Sequence, residues 1–318
     1  MLYGRIDGVE RQVSRLIQGT LLLGHLDEEQ AWRLFDAAYA SGCNAFDTAL
    51  VYGAGRAERL LGSWARSRGV RDDLIIIDKG CHPADEVPRM TPADLAHDIE
   101  RSLANLGTSH IDLYLLHRDD PMLPVDEIVT ALAEQQRLGN IRAYGGSNWT
   151  HQRLQLACEY ARRIGVPPFA ASSPELSLVE PVRSWPGCIS VGQDAEALAW
   201  YGSTRLPLLA WSPLASGFLS GHFRRGMASS QLSSSERRVL EFYASDANWA
   251  RLERLCRFAE HMHIAPSQAA LAYVMHVPAE IFAVLGCRTA SEVESSISAL
   301  KLRFTCAELA DLSELPGA

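Results

Sequence analysis

The chain has 318 residues, 47% of them apolar, with 30 Lys+Arg against 38 Asp+Glu and a formal net charge of −8. Net acidity without a Lys/Arg-rich block argues against nucleic acid or an anionic membrane as a partner, since phosphate binding needs clustered cations. The apolar runs, such as residues 74–77 and 113–116, are of strand length, far short of the roughly 18 residues of a membrane span.

Arg5, Asp7, Glu10, Arg11 and Arg15 interrupt the first twenty residues, so no secretory leader is read there. Seven scattered cysteines without a Cys-x-x-Cys pair point to reduced thiols in a cytoplasmic protein, not to disulfides or zinc.

In chain order, short apolar strands alternate with amphipathic helical patterns. A first strand ends at Gly19-Thr20, and Asp27 opens a helix in which Trp32, Leu34, Phe35 and Ala38 recur at helical spacing. Residues 44–46 form the second strand and 57–68 its helix. The third strand covers 74–77; Thr91-Pro92 then sets an N-cap before a proline at the first helical position, and the helix runs to 106. A fourth strand over 111–116 leads to a helix over 124–138, which Gly139-Asn140 stops. The fifth strand covers 141–145, followed by a helix from Thr150 to residue 164, and the sixth covers 169–172. An irregular stretch over 174–192 precedes a helix over 194–201 and the seventh strand, 206–211. A Gly/Ser-rich segment to 235, helices over 247–261 and 266–276, an eighth strand over 281–285 and a helix over 290–299 complete the series.

This alternation implies a parallel α/β sheet, and eight units in about 300 residues fit a closed (β/α)8 TIM barrel. The expectation is one barrel domain over residues 1–318, with 174–192 and 212–235 as loops of its catalytic face. A doubly wound dinucleotide fold is the alternative. Gly53-Ala54-Gly55 follows a strand, but Glu58 stands where the third glycine of that fingerprint belongs, so the glycines read as a tight turn at a helix start.

In such a barrel the strand C-termini converge on one face. The second strand ends at Asp47 with Tyr52 shortly beyond, the third at Asp78-Lys79-Gly80, and the fourth at His117-Arg118-Asp119-Asp120. Each residue alone reads as a salt bridge or a cap. Together they bring a carboxylate, a phenol, an ammonium and an imidazole to one rim. A phenol titrates near ~10, and a neighbouring ammonium stabilises its phenolate, so Lys79 is expected to lower the pKa of Tyr52. Asp47 would hold Lys79 charged and His117 would orient a carbonyl oxygen. The set is a general acid beside an oxygen that becomes an alkoxide, and it calls for a hydride or another nucleophile.

Phe46-Asp47-Thr48-Ala49 with Tyr52-Gly53, Asp78-Lys79, Leu115-Leu116-His117-Arg118, Gly145-Gly146-Ser147-Asn148 and Ser212-Pro213-Leu214 with Gly217 and Leu219 resemble, in matching order, the motifs of the aldo-keto reductases. The resemblance runs from Gly19-Thr20 to Gly286-Cys287-Arg288. It implies that Asp47, Tyr52, Lys79 and His117 are the catalytic tetrad, with Tyr52 the acid and base, and that a nicotinamide dinucleotide is held without a Rossmann motif. By the same resemblance Gly19 and Thr20 border the cofactor, and Ser147 and Asn148 meet its carboxamide.

Ser173 and Leu176 occupy positions where typical members carry a Gln and a stacking Tyr, so Leu176 or another side chain would take the stacking place. Trp211, Ser212, Pro213, Leu214, Ser216, Gly217 and Leu219 would cover the pyrophosphate, which small residues and free N–H groups suit. Gly286, Arg288, Glu292 and Ser296 would lie at the adenosine end, with Glu292 and Ser296 in place of the usual Gln and Asn. Arg288 against a 2′-phosphate favours NADPH, with NADH (and so either nicotinamide cofactor) as the alternative.

His82, Arg118, Asp119 and Trp149, with Trp185 and Trp211, fall on loops of the expected catalytic face, next to the motifs. Aromatic walls with a few polar groups suit a sugar-like or hydroxylated carbonyl compound, although packing between loop and barrel explains each Trp as well. The expected function is reduction of a small aldehyde or ketone. A nicotinamide-nucleotide sensor with little turnover is the alternative. No metal is expected, since no His/carboxylate cluster falls on this face.

Overall fold

Most helices begin where a short polar side chain accepts an otherwise unpaired backbone N–H of the first turn. Asp27 accepts from Gln30 before α1 (Glu28–Ala40), Thr91 from Asp94 before α3 (Pro92–Leu106), and Thr150 from Arg153 before α5 (His151–Ile164). Asp194 does the same for α6 (Ala195–Thr204), Ser233 for α7 (Ser234–Tyr243), Ser245 for α8 (Asp246–His261) and Thr289 for α10 (Ala290–Ala299). The other helices are α2 (Arg56–Arg68), α4 (Val125–Arg137), α9 (Pro266–Met275) and α11 (Cys306–Ser313). The structure is a computed structural model and describes residues 1–85, 87–228, 230 and 232–313.

Between the helices run β3 (Leu16–Gly19), β4 (Ala45–Asp47), β5 (Ile75–Gly80), β6 (Ile111–Leu116), β7 (Ile141–Ser147), β8 (Ala171–Ser173), β9 (Leu208–Trp211) and β10 (Ile281–Leu285). Each pairs in parallel with the next, and β10 pairs with β3, so the sheet closes into the eight-stranded barrel that the alternation predicts. Closure excludes the open doubly wound arrangement. Side chains alternate across the strands. Ile17, Ala45, Ile75, Ile77, Leu113, Leu115 and Phe282 form one buried cluster, while Phe46, Ile76, Tyr114, Leu116 and Tyr144 join a second with the helices.

Two short strands and two helices, α7 and α11, lie outside the sequence expectation. β1 (Tyr3–Gly4) and β2 (Val13–Ser14) pair as an antiparallel ribbon, and Ile6 and Val13 join the inner cluster of the barrel. Two-residue strands are too short to leave an alternating pattern in sequence. α7 lies in what reads as a Gly/Ser-rich loop. Its capping box, Ser233 with Glu236, is the one local sign of a helix, and only Phe242 and Tyr243 on it are buried. α11 follows from Thr305, whose hydroxyl accepts from Glu308 N. The segment after β9 is packed rather than loose: Ala215, Phe218, Leu219 and Phe223 form a third cluster with Leu252 and Leu255 of α8. Among the described residues no helix is long and apolar enough to cross a membrane.

Candidate active site

The register of the first strands brings the expected residues together. Asp47 is paired with Ile77, and Lys79 with Leu115, so Asp47, Lys79 and His117 leave adjacent strand ends. Lys79 Nζ lies 2.6 Å from Asp47 Oδ2 and donates to Thr48 O at 3.0 Å, with both charged side chains only 5% exposed. Tyr52 sits in the turn after β4, where Gly53, Ala54 and Gly55 all take positive φ, so that the chain reverses into α2. The Lys79 ammonium is 5.2 Å from the centre of the Tyr52 ring. His117 meets that ring edge-on at 5.8 Å, and His82 meets His117 edge-on at 4.8 Å. One partly exposed phenol is therefore flanked by an ammonium and an imidazole.

The electrostatics differ from the expectation in one respect. Burial pushes the Tyr52 pKa up and outweighs the opposing charge of Lys79, so the net direction is upward and not the fall expected from sequence. Asp47 adds to the effect of burial, since it neutralises the ammonium and itself disfavours a phenolate. For Lys79, burial alone would pull the pKa down; the charges of Asp47 and Tyr52 outweigh it and the net direction is up. Burial pushes the Asp47 carboxyl up against the opposing charge of Lys79, and the two groups lie at ion-pair distance. Burial, then Lys79, Arg118 and His82, hold His117 well below the usual imidazole range, so it is neutral there. Its Nδ1 is buried and without a partner. Behind Lys79, the buried carboxyl of Asp78 accepts from Lys79 N at 2.8 Å; burial and the charge of Glu58 push its pKa well above the ordinary carboxylate value.

The expected pocket residues divide. His82, edge-on to His117, and Arg118, which follows His117 in the chain, are both partly exposed. Asp119 is instead committed to Arg153, whose Nε lies 3.2 Å from both its oxygens. Trp149 is fully buried; it packs on Phe169 and donates from Nε1 to Arg118 O, so it is no pocket wall. Trp185 stacks near Phe242 of α7 with ring centres 4.7 Å apart, and it stays exposed. Cys81 is buried and its thiol is pushed above its ordinary pKa by burial, which removes any nucleophilic character.

The expected cofactor residues also divide. Gly19 ends β3 in register with Asp47, and Thr20, whose N–H donates to Asp47 O at 2.9 Å, carries a buried hydroxyl without a partner. Ser147 donates to Ser173 O at 2.9 Å and accepts from Asn148 Nδ2 at 3.0 Å. Asn148 also donates to His117 O and accepts from Trp211 Nε1 at 3.2 Å and from Ile189 N. All four of its amide positions are thus used within the protein. It ties β6, β9 and the 174–192 segment together, a role that no local sequence signal announces.

Leu176 is 0% exposed in the outer core, so it offers no face to a ring, and Ser173 spends its buried hydroxyl on Leu209 O. Both correct the expectation. The segment after β8 turns inward to cover the core, whereas Trp211 at the end of β9 remains partly exposed.

After Trp211, positive φ recurs at Ser212, Ala215, Ser216 and Gly217, and a Cβ added at Gly217 would meet nothing within 4 Å. Successive left-handed peptides form the kind of concavity that binds phosphate, at a strain of about 1 to 3 kcal/mol for each non-glycine residue. Pro213 and Leu219 point into the protein, while Ser212, Leu214 and Ser216 reach the surface. This cradle fits a pyrophosphate. At the expected adenosine end Gly286 is exposed, and Arg288 is engaged by Glu292, which also accepts from Arg288 N at 2.7 Å. Ser296 donates back to Glu292 O.

A family model described as the aldo/keto reductase family matches residues 15–316. The chain is similar to the uncharacterized oxidoreductase YrpG of Bacillus subtilis (strain 168), 28% identical over 92% of this chain and 88% of that protein. It is also similar to a probable voltage-gated potassium channel subunit beta of Oryza sativa subsp. japonica, 26% identical over 94% and 91% of the two chains. Among solved structures it resembles the thermostable aldo-keto reductase Tm1743, with a TM-score of 0.76 and 22% identity over 98% of this chain and 99% of that one.

Proposed function

The chain belongs to the aldo/keto reductase family of NAD(P)H-dependent oxidoreductases, and on that premise we propose that it reduces an aldehyde or ketone with NADPH, Tyr52 supplying the proton. The observation that carries this reading is the buried Asp47–Lys79 pair at 2.6 Å with its ammonium 5.2 Å from the Tyr52 ring and His117 edge-on beside it. A bound nicotinamide supplies the hydride that the carbonyl carbon accepts. The protein's task is then the oxygen. Neutral His117 orients the carbonyl, the Tyr52 hydroxyl donates its proton as alkoxide character develops, and Lys79 stabilises the phenolate left behind. Asp47 keeps that ammonium charged and in place.

Trp211 is the ring we assign to the nicotinamide face, since it is partly exposed and its indole N–H is anchored on Asn148. Arg288 supports the 2′-phosphate of NADPH. Its pairing with Glu292 is a surface contact, 70% and 41% exposed, of a kind worth about 0 to 1 kcal/mol, which a dianionic phosphate outcompetes. The hydroxylated substrate expected from a Trp-lined pocket has one wall fewer, because Trp149 is buried.

The test follows NADPH absorbance with the purified protein and a panel of aldehydes and ketones. Substrate-dependent oxidation is expected, and Tyr52→Phe should reduce kcat by 100-fold or more while NADPH affinity changes within a few fold. Full activity in that variant would refute the mechanism. Tight NADPH binding with no oxidation of any substrate would favour a nucleotide-sensing role, which the similarity to a channel beta subunit keeps in view.

A further inference from the structure

We propose that the substrate carries an anionic group, a carboxylate or a phosphate, which Arg118 holds while the carbonyl lies at Tyr52. This deepens the reductase reading above and rests on it. Arg118 directly follows His117 at the end of β6. Its Nη1 donates to His117 O at 2.8 Å and its Nε to Pro186 O at 3.2 Å. A Cβ added at Gly187 would lie 3.0 Å from Arg118 Cδ, so the loop after Trp185 rests against the stem and fixes it. Both polar partners are neutral carbonyls.

Three acids of the site and its loops are committed elsewhere. Asp47 is paired with Lys79, Asp119 with Arg153, and the buried Glu175 accepts from Tyr243 OH at 2.6 Å. Among the described residues no carboxylate lies within ion-pair distance of Arg118. The contrast is with Arg15, Arg68, Arg71, Arg89, Arg153 and Arg225, each of which meets one.

A guanidinium carries five donors, and the two bonds made here leave Nη2 free to receive a forked anion. The charge is also directed at the site: Tyr52, His82 and His117 all respond to Arg118, as does the Cys188 thiol on the facing loop. With the Lys79 charge balanced by Asp47, the site keeps one uncompensated cation beside a neutral imidazole. A partly exposed, fixed cation with no counter-ion costs little to keep in water and gains most from an anion that displaces that water.

The experiment uses the full chain with NADPH and matched substrates: 4-carboxybenzaldehyde against its methyl ester, succinic semialdehyde against its methyl ester, and glyceraldehyde 3-phosphate against glyceraldehyde. At least one anionic member should exceed its neutral partner tenfold or more in kcat/KM, chiefly through KM, and the advantage should shrink as salt rises. The carboxylate and phosphate arms identify which anion is taken. Arg118→Met should bring the anionic-to-neutral ratio towards one, and Arg118→Lys should recover part of it. If the Met variant does not fold, the wild-type ratio and its salt dependence decide alone. Neutral members reduced as well as every anionic partner would overturn the proposal and leave the reductase reading standing. Absence of turnover in all pairs, with NADPH bound, would overturn both.

Discussion

At the residue scale, the site shows how burial competes with a neighbouring charge. Tyr52 has an ammonium beside it, yet its pKa is raised, because the same closure that brings Lys79 near also desolvates the phenolate and places Asp47 within reach. The consequence is directional. Tyr52 holds its proton through neutral and mildly alkaline pH, so carbonyl reduction should not decline until the pH passes the ordinary phenol range of about 10. A pH profile of kcat/KM checks this, and a fall centred near neutrality would contradict it.

The two candidates for the nicotinamide face separate as sharply. Trp211→Ala should weaken NADPH binding in a fluorescence titration with little effect on melting. Leu176→Ala, by removing a fully buried side chain, should instead destabilise the fold by about 2 to 5 kcal/mol in denaturant unfolding while binding is largely kept.

At the element scale, the catalytic-face segments are tied to one another by side chains distant in sequence. Glu175, 2% exposed, accepts from Tyr243 at the end of α7, so the 174–192 segment is pinned to the helix that follows the left-handed turns after Trp211. Burial pushes the Glu175 pKa from the usual carboxyl value of 4.5 to about 7. A raised carboxyl pKa means that the folded state binds its proton more tightly than the unfolded chain. Stability therefore falls as pH rises from about 4.5 to about 7, by up to roughly 3 kcal/mol, and the cost is fully present above that window. Glu175→Gln keeps an oxygen for Tyr243 and cannot ionise. Its melting temperature should exceed that of the wild type at pH 8 and converge with it near pH 5; parallel curves across that range would show that Glu175 does not titrate with folding.

At the scale of the whole molecule, the alternation of apolar runs and amphipathic helices, with helix starts such as Asp27, Thr91 and Thr150, made the barrel readable. Those signals are local, with periods of 2 and 3.6 residues that survive in any window longer than a turn. Asp47, Lys79 and His117 were readable for the same reason: a polar residue that ends an apolar strand in a closed parallel barrel must emerge on one face. α7 and the N-terminal ribbon were not readable, since one is carried by a capping box and two buried residues and the other by two-residue strands.

What sequence determined alone was thus the order of elements and which residue types stand at the strand ends. Only the tertiary structure decided which loop side chains face the site. Trp149 and Leu176 turned into the core, Asp119 turned to Arg153, Asn148 anchored Trp211, and Arg118 was left with two carbonyls and no acid. Loops carry no period from which a direction can be read, and their side chains settle by contacts between segments tens of residues apart, which exist only once the barrel has closed.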